Sequence, residues 1–202
     1  HSRDLLGPGG GVAVGLLSEG INEVIATTCR NAAPIGIINR GGSMHMGLFR
    51  GSHTARNVAR DRRVVANFVF DPVIYVRTAF DDLPDDDFVT EKVGEEVFCR
   101  LRDVEAWAAF TAEVERSNTE ALVVRLTPVK EEVLELRLHP VNRGFASIIE
   151  AAVHATRYVR KHDPWLLQLI EHHAALVRRC GGAREHEALR LLEEYIAGKT
   201  GK

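Results

Sequence analysis

The chain has 202 residues, 26 basic and 28 acidic, for a formal net charge of -2. With 45% hydrophobic and 27% charged residues it has the balance of a soluble globular protein with a real core, and no global basic field argues for nucleic acid. No apolar run is long enough to span a bilayer.

Cys29, Cys99 and Cys180 are far apart and odd in number. They read as reduced thiols in a cytoplasmic protein, without metal-knuckle spacing. The opening residues lack the pattern of a secretory signal, and His1-Ser2 reads as the remnant of an expression tag. The glycines between residues 3 and 20 lack the flanking strand and helix of a dinucleotide fingerprint. They read as a flexible lead into the first strand.

Ile21 to Thr28 is β-branched and apolar and predicts a strand. Ala33 to Asn39 predicts a second, close enough to pair with it as a hairpin. Gly41-Gly42-Ser43 marks a turn, and Met44 to Phe49 a third strand. Three strands with short turns make an antiparallel meander. Ser52 to Arg62 is helical in pattern, capped by Ser52 or Thr54. Arg63 to Phe70 is an apolar strand ended by Asp71-Pro72, and Val73 to Phe80 a short helix with Asp71 and Pro72 as cap and first residue.

Asp81 to Asp87 reads as a solvated acidic loop, because it lacks the ligand-and-glycine order of a calcium loop. Phe88 to Arg100 holds one or two short strands. Asp103 to Arg116 predicts an amphipathic helix with Trp107 in the core. Thr119 to Thr127 and Lys130 to Leu138 predict two strands around Pro128, the second with one wet face. Phe145 to Lys161, Asp163 to Cys180 and Arg184 to Ala197 predict three helices, the second ended by Gly181-Gly182. The expected organisation is mainly β plus α: a β-rich domain over residues 1–140 and a helical subdomain over 141–202.

Gly51-Ser52-His53-Thr54 delivers hydroxyls and free amides to a helix N-terminus, which suits a phosphate and is equally the chemistry of an ordinary N-cap. Thr27-Thr28, Asn31 to Gly36, Asn57 and Asn67 stand at the ends of neighbouring strands. The small residues among them would let a flat ring approach the backbone. A planar heterocycle with a phosphate tail fits this set.

No HExxH, Walker A or Gly-x-Ser-x-Gly pattern is present, and no metal is expected. His172 and His173 do not share a helix side, and pairing on a helix surface is enough to explain Glu150 with His154. Arg50, Arg56, Arg60, Arg62 and Arg63 spread over more than one side of a helix, without the interleaved aromatics of a single-strand binder.

Asn31-Ala32-Ala33-Pro34-Ile35-Gly36, followed by a turn ending Thr54-Ala55-Arg56-Asn57, resembles the FMN-binding split barrels of flavin reductases. These are related to the pyridoxamine phosphate oxidase type. Together with LFRGSHTARN, VVANFVFDPV and TAFDDL, the segment resembles more closely an uncharacterised family of such proteins in archaea and methylotrophic bacteria.

The resemblance implies an antiparallel split β-barrel with a C-terminal helical extension, and a cytoplasmic homodimer with two FMN sites near its interface. It implies phosphate contacts from Gly51, Ser52, His53, Thr54 and Asn57. Ring or ribityl contacts would come from Thr27, Thr28, Ala33, Pro34, Ile35, Gly36 and Asn67, with Asn142, Arg143 and Arg157 contributing, some from the second subunit. Ser52-His53 replaces the Lys-Asp pair of flavin reductases, so less positive charge meets the phosphate. No catalytic acid or base is named. The activity implied is a flavin-dependent oxidoreductase. The alternatives are a non-catalytic flavin-binding or protein-interaction module, or a structural domain with an anion-binding turn.

Overall fold

The computed structural model describes residues 15–200. The glycine run up to residue 14 and His1-Ser2 lie outside the described part. The chain forms two compact units, one of residues 15–69 and 84–137, the other of residues 70–83 and 138–200. The expected cut at residue 140 therefore leaves out one helix, Pro72–Phe80, which clusters with the helices that follow.

The first unit is a closed antiparallel barrel in the order β1-β2-β3-β8-β7-β4. It is built from β1 (Gly20–Thr28), β2 (Asn31–Arg40), β3 (Ser43–Phe49), β4 (Arg63–Phe68), β7 (Ala106–Ser117) and β8 (Ala121–Val133). Helix α1 (His53–Asp61) lies between β3 and β4 in the chain, and β5 (Phe88–Val93) with β6 (Glu96–Leu101) forms a separate two-stranded sheet.

The first three strands and α1 stand where the local signals place them. Thr28 pairs with Asn31, so the β1–β2 turn is only Cys29-Arg30. Cys29 adopts φ 51 there, a left-handed backbone that usually falls to Asn, Asp or Gly in such turns. The barrel core is closed by Val24, Ile37, Met46, Leu48, Val58, Phe110 and Val124.

Two expectations from the sequence are overturned. The helix expected over Asp103 to Arg116 is strand β7, paired on one side with β4 and on the other with β8. Its alternate residues are buried in different places. Ala108, Phe110 and Ala112 enter the barrel core, while Trp107 and Ala109 pack with Val65 and Phe98 outside it. A strand buried on both faces loses its polar alternation and cannot be told from a buried helix by period. Its alanines favour a helix locally, and the two neighbouring strands override that preference.

The second correction concerns Pro128. The two strands expected around it are one 13-residue strand, β8. Pro128 pairs with Phe110 at a register shift between Ala109 and Phe110. The irregularity accommodates a residue that has no N–H to give the ladder. Residues 134–138, expected as strand, are outside it, and Leu136 and Leu138 are exposed.

The second unit comprises α2 (Pro72–Phe80), α3 (Arg143–Lys161), α4 (Pro164–Cys180) and α5 (Ala183–Thr200). Asp71, Asn142 and Asp163 cap the first three through their side chains. Val73 and Val76 of α2 join Ile148, Ala151, Ala155, Ile170, Val177 and Leu192 in one core, which is why α2 belongs here. A Cβ on Gly144 would stand 2.5 Å from the Gly181 Cα. Only glycine lets the start of α3 approach the end of α4 so closely. Among the described residues, no helix is long and apolar enough to cross a membrane.

Candidate functional site

The β1–β2 hairpin ends beside α1, and two side-chain amides join them. Asn57 Nδ2 donates to both the carbonyl and the Oγ1 of Thr28, each at 3.2 Å. Asn31 Nδ2 donates to Thr54 Oγ1 at 3.0 Å. Ser52 caps the helix by accepting from the Ala55 amide at 3.1 Å. Ser52, not Thr54, is therefore the N-cap, and Thr54 is already a buried residue of the first turn.

These bonds have a chemical consequence. A hydroxyl that accepts a hydrogen bond still owns a proton to donate. Ser52, Thr54 and Thr28 all accept here, so each keeps a donor. The helix itself leaves its first amides, those of His53 and Thr54, without an intrahelical acceptor, and its dipole favours negative charge at this end. His53 and Arg56 are exposed alongside. The turn can receive an anion by neutral donors and a helix end, with the exposed Arg56 guanidinium nearby.

The other residues expected at the site have different placements. Ala33, Pro34, Ile35 and Gly36 lie half-buried on β2, opposite Ala26, Ile25, Val24 and Glu23 of β1. A Cβ on Gly36 would meet Ile21 Cγ2 at 2.8 Å and Glu23 Oε1 at 3.1 Å, so its smallness makes room for side chains of β1. A Cβ on Gly51 would meet the Phe49 ring at 2.9 Å, so glycine lets that ring fold over the turn.

Asn67 is wholly buried and engaged at both ends of its amide. Its Nδ2 donates to the Ile25 carbonyl at 2.8 Å and to Thr27 Oγ1 at 3.0 Å, and its Oδ1 accepts from the Leu101 amide at 2.8 Å. Thr27 in turn donates to the Cys99 carbonyl at 2.6 Å. Asn67 thus ties β1, β4 and the end of β6 together behind the hairpin. Asn142, Arg143 and Arg157 belong to the helical unit. Asn142 accepts from the Phe145 amide as the α3 cap at 3.1 Å, and the two arginines are exposed.

Thr27, Thr28 and Cys29 also border a cavity of about 320 Å³, with Asp61 and Arg63 at one edge and Phe98 and Cys99 at another. That volume is at the lower end of small-molecule pockets. Sequence reading gave no role to Cys29, Asp61, Arg63, Phe98 or Cys99. They come together through the pairing of distant segments, and no local motif announces that.

The charges at this edge are tied down. Arg60 reaches Asp61 at 2.8 Å, and its hydrogen bond, with that of Cys29, holds the Asp61 carboxyl well below the usual carboxylate range. Burial, then the Asp61 carboxylate, pushes the Cys29 thiol up. Burial raises the Cys99 thiol to about 11. Both are thiols at neutral pH, so the cavity does not present an activated sulfur nucleophile.

The profile described as "Protein of unknown function (DUF447) N-terminal domain" matches residues 22–135. Its companion, "Protein of unknown function (DUF447)", matches residues 142–194. The crystal structure of FMN-bound protein MM1853 from Methanosarcina mazei, of the same family, is 38% identical, with a TM-score of 0.83 over 88% of this chain and 96% of that one. The fold is thus the expected split barrel with a helical extension. A flavin reductase domain protein from Arthrobacter sp. FB24 is 16% identical, with a TM-score of 0.44 over 57% of this chain and 79% of that one. An FMN-binding protein from Thermus thermophilus is 13% identical, with a TM-score of 0.47 over 66% and 80%. Likeness at those two levels bears no functional argument.

Proposed function

The chain belongs to the DUF447 family, and from that premise we propose that it is an FMN-binding flavoprotein acting as a flavin-dependent oxidoreductase. One observation in the chain carries the reading. Ser52, Thr54 and Thr28 all accept hydrogen bonds inside the protein and keep their protons, around a helix N-terminus. The FMN-bound state of the Methanosarcina mazei relative supports the identity of the ligand.

The phosphate is assigned to Gly51, Ser52, His53 and Thr54, with Asn57 holding Thr28 in place. The ring and ribityl chain are assigned to Thr28 and the β2 residues Ala33, Pro34, Ile35 and Gly36. Thr27 and Asn67 act from behind, as the buried floor that fixes the hairpin. Bound FMN would supply the electron-transfer chemistry; the protein's part is to bind and orient it.

We extend the proposal to a homodimer in which Asn142, Arg143 and Arg157 reach toward the flavin of the second copy. Leu138 and Val141 of the helical unit are 95% and 99% exposed, and bare apolar side chains are the kind of surface a second copy covers. The free state of all three cysteines supports a reducing compartment such as the cytoplasm.

The test is the visible spectrum and mass of whatever co-purifies, followed by anaerobic mixing with NADH, NADPH or a reduced deazaflavin. Flavin bands that bleach with a donor are expected. A colourless protein that takes up no added FMN would overturn the assignment. Flavin bound without turnover by any donor would favour a binding module over an enzyme.

A further inference from the structure

The helical unit brings together three groups that the flavin reading does not use. Glu150 and His154 sit one turn apart on α3, with Glu150 Oε2 and His154 Nε2 3.9 Å apart. A surface pair at that spacing is ordinary. What it does not explain is the third group. His173, from α4, lays its ring against that of His154, with centroids 5.7 Å apart and 27° between the planes. One ligand atom from each of Glu150, His154 and His173 falls within 4.8 Å of the other two.

The surroundings of the two imidazoles also point to a ligand. His154 is largely covered, with 15% of its side chain exposed. Its Nδ1 is buried without a hydrogen-bond partner among the described residues. A histidine placed only for packing would normally have that nitrogen satisfied. His173 Nδ1 has the Ser147 hydroxyl at 3.5 Å. A bond from Nδ1–H to that oxygen fixes the tautomer that leaves Nε2 with a free lone pair, as outer partners of metal-bound histidines do.

We propose that Glu150, His154 and His173 form a binding site for a divalent transition metal of the zinc type, joining α3 to α4. Two imidazoles and one carboxylate suit a borderline cation better than calcium or magnesium, which take oxygen ligands. Tetrahedral zinc with bonds of about 2.1 Å holds its ligand atoms about 3.4 Å apart. The observed spread closes to that by side-chain rotation, and Glu150 has freedom for it because 58% of its side chain is exposed. Three protein ligands leave a fourth position for water, the pattern of sites that keep one position open.

The site stands independently of the flavin assignment and is read out separately from it. The full chain, with any flavin it carries, is stripped with a chelator and titrated with zinc chloride in a calorimeter. In parallel, the histidine ring nitrogens are followed by NMR. One zinc per chain is expected, with the ring signals of His154 and His173 shifting together and the melting temperature rising. His173→Ala should weaken uptake roughly a hundredfold, as loss of a direct ligand exceeds the usual loss of an outer partner. His172→Ala, at the exposed neighbouring position, should leave uptake unchanged. Should the histidine variants fail to fold, Glu150→Gln at the exposed corner should still weaken binding and abolish the thermal shift. Equal zinc affinity in wild type and the His154→Ala/His173→Ala double variant would overturn the proposal, as would failure of the wild type to take up zinc.

Discussion

Two polar clusters in this molecule are built on opposite principles. At the barrel turn, the amides of Asn31 and Asn57 and the first-turn N–H of Ala55 fill one acceptor site on each of Thr54, Thr28 and Ser52. On α3 and α4, His154 and His173 are brought together with a nitrogen of His154 buried and, among the described residues, unpartnered. The first cluster is tied together by its own bonds and keeps a hydroxyl proton on each of its three members beside a helix N-terminus, so it suits an anion. The second gathers two imidazoles and a carboxylate whose ligand atoms lie within 4.8 Å of one another, so it suits a cation. What a cluster can bind is read less from its residue types than from which half of each group's hydrogen-bonding capacity the fold has already used.

The sharpest way to break this contrast is to remove the floor under the first cluster. Asn67→Ala deletes a buried amide that makes three close bonds and strands the Leu101 N–H. It should cost about 3 kcal/mol of stability in chemical denaturation. A loss within a few tenths would mean that the hairpin is held elsewhere. Next in size is Thr54→Val, which keeps the volume and removes the donor along with the acceptor of the Asn31 amide. FMN affinity should fall about tenfold, the worth of one hydrogen bond to a charged group. Asn57→Ala should cost about 1 kcal/mol by freeing the hairpin from α1, and should weaken FMN only through that loosening. A larger effect on binding than that of Thr54→Val would make Asn57 a direct ligand contact.

The smallest effect expected is at Asp61. Its carboxyl is depressed in the folded state, chiefly by the Arg60 hydrogen bond. Its contribution is therefore present above the unfolded value of about 3.9 and is lost as pH falls through the lower folded value. In melting curves taken from about pH 6 downward, Asp61→Asn should be slightly less stable than wild type at neutral pH and converge with it in acid, flattening part of the acid decline. A stability difference that appears only on the alkaline side would contradict the assignment.

Much of the barrel was legible because its signals are local. β-branched runs, the Gly41-Gly42 turn and the Ser52 cap each act within a few residues, and so do Asp71-Pro72 and Asp163-Pro164. β7 was not legible, because burial on both faces erased the alternation around Trp107 that marks a half-exposed strand. Pro128 read as a break because the bulge that accommodates it depends on the partner strand. At the candidate site, the turn residues could be named from the sequence. The pairings Asn31 to Thr54 and Asn57 to Thr28 could not, since they join positions 23 and 29 residues apart. The Glu150–His154 spacing was visible in the same way, and its third member was not, because His173 arrives through the packing of one helix on another.

The central claim is that the α1 turn holds a phosphate. Dissociation constants for FMN and for riboflavin, measured by quenching of flavin fluorescence on wild type and on Thr54→Val, test it most directly. The two flavins differ only in the phosphate. FMN should bind the wild type far more tightly than riboflavin, and the substitution should narrow that gap by weakening FMN alone. Equal affinity for the two flavins in the wild type, or a gap that Thr54→Val leaves untouched, would contradict it.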